Sequence, residues 1–280
     1  MSAQIRVILK RGRSKPFWVG HPWVFSGAIH RVDGAVGEMG GPCVVVDERD
    51  NILGSGFYNP HARIAVRILE HRRTTDLDFN PKSLDEILRQ RLLAAVERRK
   101  TLGLPSEDTN AFRLCHGEGD LLGGLAVDLL NDTLVVYLRS RAMYEARQSL
   151  AHTLAALLDV AAVVAHVDDS SSKLEAIPTG TEVLRGSLSA PLTYLEEGVR
   201  FTCDLSGGLH TALHLEQREN RVRFASYCVD QDVLDLYSGA GGFGLQALHR
   251  GAASVVAIDA SEPACAALKT NAELNRVAHQ

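Results

Sequence analysis

The chain has 280 residues, of which 45% are hydrophobic and 23% charged, which excludes a disordered, collagen-like or coiled-coil chain and allows two or three domains. The net charge of −4 is unevenly spread, with +5 over residues 1–75 and −9 over the rest. Five cysteines (Cys43, Cys115, Cys203, Cys228 and Cys265) lie far apart without a CxxC pair, which argues for reduced thiols and against a zinc site or a disulfide framework. The apolar run 154–165 is interrupted by Asp159 and is shorter than the roughly 20 residues a bilayer span needs. The first twenty residues lack the apolar segment of a secretory signal. A cytoplasmic protein without membrane contact is expected.

Residues 1–72 read as short strands separated by turn residues, at 5–9, 23–25, 43–47 and 65–69, the pattern of a small barrel or sandwich. Arg6, Lys10, Arg11, Arg13 and Lys15 fall within the first fifteen residues with no acid among them, as a phosphate-contacting surface requires. In the run from Arg63 to Leu69, Ile64, Val66 and Ile68 alternate with Arg63, Ala65 and Arg67, predicting one buried face and one that presents arginines. Trp18, Trp23 and Phe25 are expected to fill the core of so small a domain.

From Ser83 the period becomes helical. Leu84, Ile87, Leu88, Leu92, Ala95 and Val96 recur at spacings of three and four, and Arg98, Arg99 and Lys100 close the helix, where they complement its dipole. Strands are expected at 125–130 and 133–138 around Asn131-Asp132, then a helix over 144–158 and a strand over 160–167. Asp168-Asp169 and the serines after them read as a turn or a helix cap rather than an acid pair. Residues 75–190 thus form a small α+β unit.

The third segment, 191–280, opens with a hairpin at 192–195 and 199–204, followed by a helix over 215–227 and a strand over 233–237. The loop Ser238-Gly239-Ala240-Gly241-Gly242-Phe243-Gly244 comes next. A helix to Arg250, a strand at 254–258, Asp259 and a helix over 261–275 complete one βαβ unit. Gly239, Gly241 and Gly244 satisfy G-x-G-x-x-G between strand and helix, and Asp259 stands twenty residues after Gly239 at the end of the second strand. Such glycines let a ligand approach the backbone, and the acid can accept hydrogen bonds from both ribose hydroxyls, so an adenosine-containing cofactor is expected. Asp235, four residues before Gly239, would repel a pyrophosphate and attract a sulfonium or ammonium cation. That favours S-adenosylmethionine over NAD.

Several ordered motifs carry a resemblance over nearly the whole chain: 21–29 (HPWVFSGAI), 56–61 (GFYNPH), Phe112-Arg113-Leu114 with Gly117-Glu118-Gly119-Asp120, Glu216-Gln217-Arg218-Glu219-Asn220, and 234–238 leading into the glycine loop. The chain resembles the class I S-adenosylmethionine-dependent methyltransferases of large-subunit ribosomal RNA that make 5-methylcytosine. The resemblance implies α/β plus α+β architecture: an amino-terminal PUA-like β-barrel that binds RNA, a central α+β domain, and an incomplete Rossmann-like methyltransferase domain. It also implies that Gln217 and Arg218 shape the cofactor pocket, that Gly239, Gly241 and Gly244 line it with Asp235, Tyr237, Ser238 and Phe243 nearby, and that Asp259 holds the ribose. Ribosomal RNA is the implied partner, contacted by Lys10, Arg11, Arg13 and Lys15.

Two departures qualify what the resemblance implies. The stretch 210–216 lacks the family's lysine, threonine-glycine and aromatics. The chain also stops at Gln280, directly after the second Rossmann helix, so a carboxyl-terminally shortened member is expected, without the base-positioning loop or the cysteine nucleophile, inactive as it stands and with weak or absent cofactor binding. Methylation at cytosine C5 needs a thiolate to add at C6. The cysteines present read as packing residues, Cys228 and Cys265 on helices, Cys43 and Cys203 in strands and Cys115 in a turn, so no catalytic residue is named. His210 and His214 lack a third metal ligand. Two parallel strands with two helices cannot cover both sheet faces, which predicts exposed apolar surface or pairing with another chain, a homo-oligomer included. An RNA-binding module with a vestigial methyltransferase part and an NAD-dependent enzyme are the alternative readings.

Overall fold

The computed structural model describes residues 5–73, 78–188, 191–205 and 214–278. Its first unit contains β1 (Ile5–Leu9), α1 (Lys15–Trp18), β2 (Trp23–Phe25), β3 (Ile29–Asp33), β4 (Gly41–Val46), β5 (Ile52–Tyr58) and β6 (Ile64–His71). These strands form a sheet in the order β2-β6-β5-β4-β1-β3. It curls around Val7, Leu9, Phe17, Val24, Val45 and Val66, which are buried together. Strands β3 and β5 carry weak signals, β3 because His30 and Arg31 interrupt its apolar residues and β5 because Gly54 and Gly56 lower strand propensity. The glycines serve close packing: a Cβ at Gly56 would stand 2.1 Å from the carbonyl oxygen of Arg67 on β6.

Two expectations for this unit fail. Trp18 is 70% exposed and Phe25 also lies on the surface, Phe17 taking the core position in the one-turn helix. Arg67 does not face solvent; its Nη1 pairs with Glu175 at 2.7 Å, so this face of β6 packs against the central unit. Strict alternation misreads β6 because both its faces are covered.

The central unit contains α2 (Leu84–Thr101), β7 (Ala111–His116), β8 (Leu125–Leu130), β9 (Thr133–Leu138), α3 (Arg141–Glu145), α4 (Arg147–Leu157), β10 (Ala162–Val167), α5 (Asp169–Glu175) and β11 (Gly180–Gly186). Its sheet runs β11-β10-β9-β8-β7, with β9 and β10 parallel and the other pairs antiparallel. Helix α2 starts with a capping box in which Ser83 and Glu86 each accept from the other's backbone amide. Its buried stripe of Ile87, Leu88, Leu92, Ala95 and Val96 covers one sheet face together with α4. The closing cations do more than complement the dipole: Arg98 and Arg99 both pair with Asp120, and Lys100 pairs with Glu97. The helix expected over 144–158 is two, because Ser140 caps α3 and the chain breaks at Ala146 before α4. Cys115 is fully buried in β7 rather than placed in a turn. Asp168 caps α5 by accepting from the amide of Ser171 at 2.7 Å.

The opposite face of the central sheet, through Ala111, Leu130, Val135 and Val164, packs on the third unit. That unit starts with the hairpin β12 (Leu192–Glu196) and β13 (Val199–Cys203). After a 3-10 turn at Leu215–Gln217 come α6 (Arg218–Ala225), β14 (Asp232–Leu236), α7 (Gly242–His249), β15 (Ser254–Ile258) and α8 (Glu262–Leu274). Helix α6 is shorter than expected, leaving Cys228 in the turn beyond it. β14 and β15 pair in parallel, Leu234 opposite Val256 and Leu236 opposite Ile258. Val233 and Val255 pack on Ala247 and Cys228. The other face leaves Leu234, Leu236, Val256 and Ile258 each more than half exposed, the apolar surface that two strands with two helices predicted.

Candidate cofactor site and nucleic-acid interface

The glycine loop stands at the carboxyl ends of β14 and β15, and two carboxylates organise it. Asp259 Oδ2 accepts from the amide of Gly239 at 2.8 Å, while its Oδ1 accepts from the amide of Ser261 at 2.9 Å. Those amides hold its pKa below the ordinary carboxylate value. Asp235 Oδ2 accepts from the amide of Gly244 at 3.0 Å. Burial pushes the Asp235 pKa upward, and the negative charge of Asp259 adds to the rise.

The three motif glycines have different physical tasks. A Cβ at Gly244 would come within 2.9 Å of Val255 Cγ1 and 3.3 Å of Asp235 Oδ2, so this glycine permits close approach of α7 to the strands. Gly241 adopts φ +88° and a Cβ there would crowd Leu268 and Leu245. Gly239, at φ +54°, has nothing within 4 Å of its Cβ position among the described residues. Open space beside Gly239 and the accessible carboxylate of Asp259 fit the ribose end of an adenosine-bearing ligand.

The other expected site residues are less closely grouped. The Ser238 amide donates to the Ile258 carbonyl at 3.1 Å, tying the loop to β15. Tyr237 has φ +59° and is 90% exposed. Phe243 lies edge-on to Phe224 of α6, with the guanidinium of Arg221 5.9 Å from its ring. Gln217 accepts from Asn220 at 2.7 Å, and Arg218 pairs with Glu197 at 3.6 Å and Glu219 at 3.5 Å. Helix α6 packs on α7, which follows the glycine loop, but these partners of Gln217 and Arg218 lie outside the loop itself. His210 lies outside the described residues, and no cluster of potential metal ligands occurs among those described.

Sequence reasoning missed the polar groups that lock this unit. Glu196 is fully buried and makes two 2.6 Å bonds to Arg221, while Gln246 Nε2 donates to the Glu196 carbonyl, also at 2.6 Å. Asn271 Nδ2 donates to the Ala240 carbonyl at 3.0 Å, and its Oδ1 accepts from the Thr202 amide at 2.8 Å, joining α8, the glycine loop and β13. The available signal was Asn271 on an otherwise apolar helix face, next to Ala267, Leu268 and Ala272. Burial pushes the thiols of Cys43, Cys115 and Cys203 up to about 12 and also raises that of Cys228. These four are poor nucleophiles.

At the amino-terminal end Lys10, Arg11, Arg13 and Lys15 are all exposed, and Lys10 Nζ donates to the Gly27 carbonyl at 2.9 Å. Trp18 shares α1 with Lys15, and its ring is exposed.

Known proteins match this arrangement. Residues 7–71 match the PUA-like domain family, and residues 220–280 match the family described as Conserved hypothetical protein 95. A Streptococcus mutans protein assigned to the SAM-dependent methyltransferases superposes over 98% of this chain and 68% of its own, with a TM-score of 0.80 at 17% identity. A second solved structure, of a protein assigned to the methyltransferases and in complex with SAH, gives the same TM-score over 98% of this chain and 67% of its own, also at 17% identity. The fold is thus that of S-adenosylmethionine-dependent methyltransferases, with a PUA-like sheet at its amino-terminal end. Proteins named Ribosomal RNA large subunit methyltransferase I from Tolumonas auensis and Alteromonas mediterranea are 33% and 34% identical to it, over 97% and 98% of this chain. The chain belongs to the ribosomal RNA large subunit methyltransferase I family, and it spans 67% of the length of these relatives. Among the described residues no helix is long and apolar enough to cross a membrane.

Proposed function

We propose that this chain binds ribosomal RNA and S-adenosylmethionine as part of a methyltransferase of the large ribosomal subunit, with cytosine C5 as the target. Three units divide the work: 1–72 binds RNA, 75–190 joins the ends, and 191–280 holds the cofactor. The observation that carries the cofactor reading is the pairing of the Gly239 amide with Asp259 beside open space. In this reading Asp259 takes the ribose hydroxyls and Gly239 lets the ligand reach the backbone. Asp235 keeps one oxygen on Gly244 and sets a negative charge beneath the cationic end. Gln217 and Arg218 close the side formed by α6. S-adenosylmethionine supplies a methyl group made electrophilic by its sulfonium. The burial and raised pKa values of Cys43, Cys115, Cys203 and Cys228 favour packing, rather than nucleophilic addition at C6, as their task.

Calorimetry with S-adenosylhomocysteine, S-adenosylmethionine and NAD tests the cofactor half. Weak binding of the first two is expected, and binding of NAD alone would overturn the reading. Filter binding of a ribosomal RNA fragment tests the other half. Neutralising Lys10, Arg11, Arg13 and Lys15 should reduce the slope of log K against log salt by about 3, at roughly 0.7–0.9 per phosphate contact. An unchanged slope would remove these four residues from the interface.

A further inference from the structure

Glu216 directly precedes Gln217 and Arg218, and it is held by the central unit. Nη2 of Arg113 on β7 donates to Glu216 Oε2 at 3.1 Å, across 103 positions of sequence. The same guanidinium forks onto Asp128, its register partner on β8, through Nε and, at 3.2 Å, through Nη2. Asp128 is 1% exposed, so Arg113 is the charge that makes its burial tolerable. The Tyr137 ring centre on β9 lies 5.7 Å from the guanidinium carbon, and Nη1 faces His116 Nδ1 at 3.2 Å. Arg113 is thus fixed by the central sheet independently of Glu216.

A second set of bonds reaches the same place. Thr109 Oγ1 accepts from the Glu197 amide at 3.0 Å, and Asn110 Oδ1 accepts from the Leu195 amide at 2.7 Å. The Glu197 side chain then pairs with Arg218 at 3.6 Å and Arg250 at 3.5 Å. Residues 109–113 therefore anchor the turn before Arg218 and also the carboxylate that Arg218 pairs with.

We propose that Arg113 is a positioning residue for the cofactor site: by holding Glu216 against the central sheet, it fixes where Gln217 and Arg218 stand relative to the glycine loop. This rests on the cofactor reading above. The central unit is then a working part of the site, and cofactor affinity depends on a side chain that lies outside the methyltransferase unit.

The test uses the whole chain, titrated with S-adenosylhomocysteine in a calorimeter, with thermal unfolding of the ligand-free variants recorded in parallel. Loss of one charge-assisted bond in Glu216→Ala should raise Kd about tenfold. Glu216→Asp, which keeps the carboxylate, should recover most of the affinity. Arg113→Lys keeps a charge beside Asp128 but loses the fork, and should weaken binding to a similar degree. The double variant Arg113→Lys with Glu216→Ala should bind no more weakly than the poorer single variant, because both remove one linkage. A merely structural role would lower the unfolding midpoints and leave Kd alone. Unchanged Kd in Glu216→Ala, in a chain whose parent binds, overturns the proposal and spares the cofactor reading. A parent chain that binds neither S-adenosylhomocysteine nor S-adenosylmethionine overturns both.

Discussion

Gly239 and Gly244 belong to one motif, yet alanine at the two positions should fail for different reasons. At Gly244 the added carbon would stand 2.9 Å from Val255 Cγ1 and 3.3 Å from Asp235 Oδ2, so α7 must move away from the strands. Overpacking of this kind costs about 1–3 kcal/mol. The shift also strains the 3.0 Å bond from the Gly244 amide to Asp235, a charge-assisted bond worth about 1.5–3 kcal/mol if lost. Gly244→Ala should therefore destabilise the chain by about 2–4 kcal/mol. At Gly239 nothing among the described residues lies within 4 Å, and the left-handed backbone at φ +54° opposes a side chain at a cost of about 1–2 kcal/mol. The methyl group would occupy the space assigned to the ligand. Thermal unfolding and S-adenosylhomocysteine titration of both variants separate the effects: Gly244→Ala should show the larger loss of stability, and Gly239→Ala the larger loss of affinity relative to its stability. If Gly244→Ala unfolds at the parent's midpoint while Gly239→Ala binds as tightly as the parent, the division of tasks is wrong.

Other outcomes follow from charge and burial. Because burial raises the Asp235 pKa, its contribution to stability is fully present below the unfolded-state value and is lost as pH rises through the folded one. Affinity for S-adenosylmethionine should run the opposite way, weakening as acidification protonates Asp235 at a pH above the ordinary carboxylate value; Asp235→Asn should bind weakly with no such dependence in a pH series of titrations. Glu196→Gln leaves Arg221 buried without its countercharge and should cost about 3–5 kcal/mol in a urea titration; a loss within experimental scatter would show that the pair is dispensable. A thiol-specific chromogenic reagent should modify Cys265 first, since it is half-buried while Cys43, Cys115, Cys203 and Cys228 are buried, and should count all five after denaturation. Rapid native modification of Cys115 would contradict its placement in β7.

The extent to which sequence reads out structure here depends on how local the deciding interaction is. The helix beginning at Ser83 was legible because its cap and its apolar stripe are fixed by neighbours within one or two turns. The strand, loop, helix, strand and acid of the third unit were legible because only glycine tolerates the close approach at Gly244, and because a short acid at the end of β15 can reach back to the Gly239 amide. Strand β6 was misread because alternation assumes one solvent face, and the central unit covers the second. Trp18 was misread because hydrophobicity alone cannot say which of two adjacent rings, Phe17 or Trp18, a single helical turn will bury.

The sequence by itself determined the helix beginning at Ser83, the βαβ order of the third unit, the basic amino-terminal end and the glycine loop with its terminal acid, since each is set by residue chemistry over short spans. Tertiary structure alone decided which charges meet: Arg67 with Glu175, Arg113 with Asp128 and Glu216, Arg221 with Glu196. A buried charge requires a partner whatever its position in the chain. Periodicity reveals that a side chain is buried but carries no record of which distant segment packs over it.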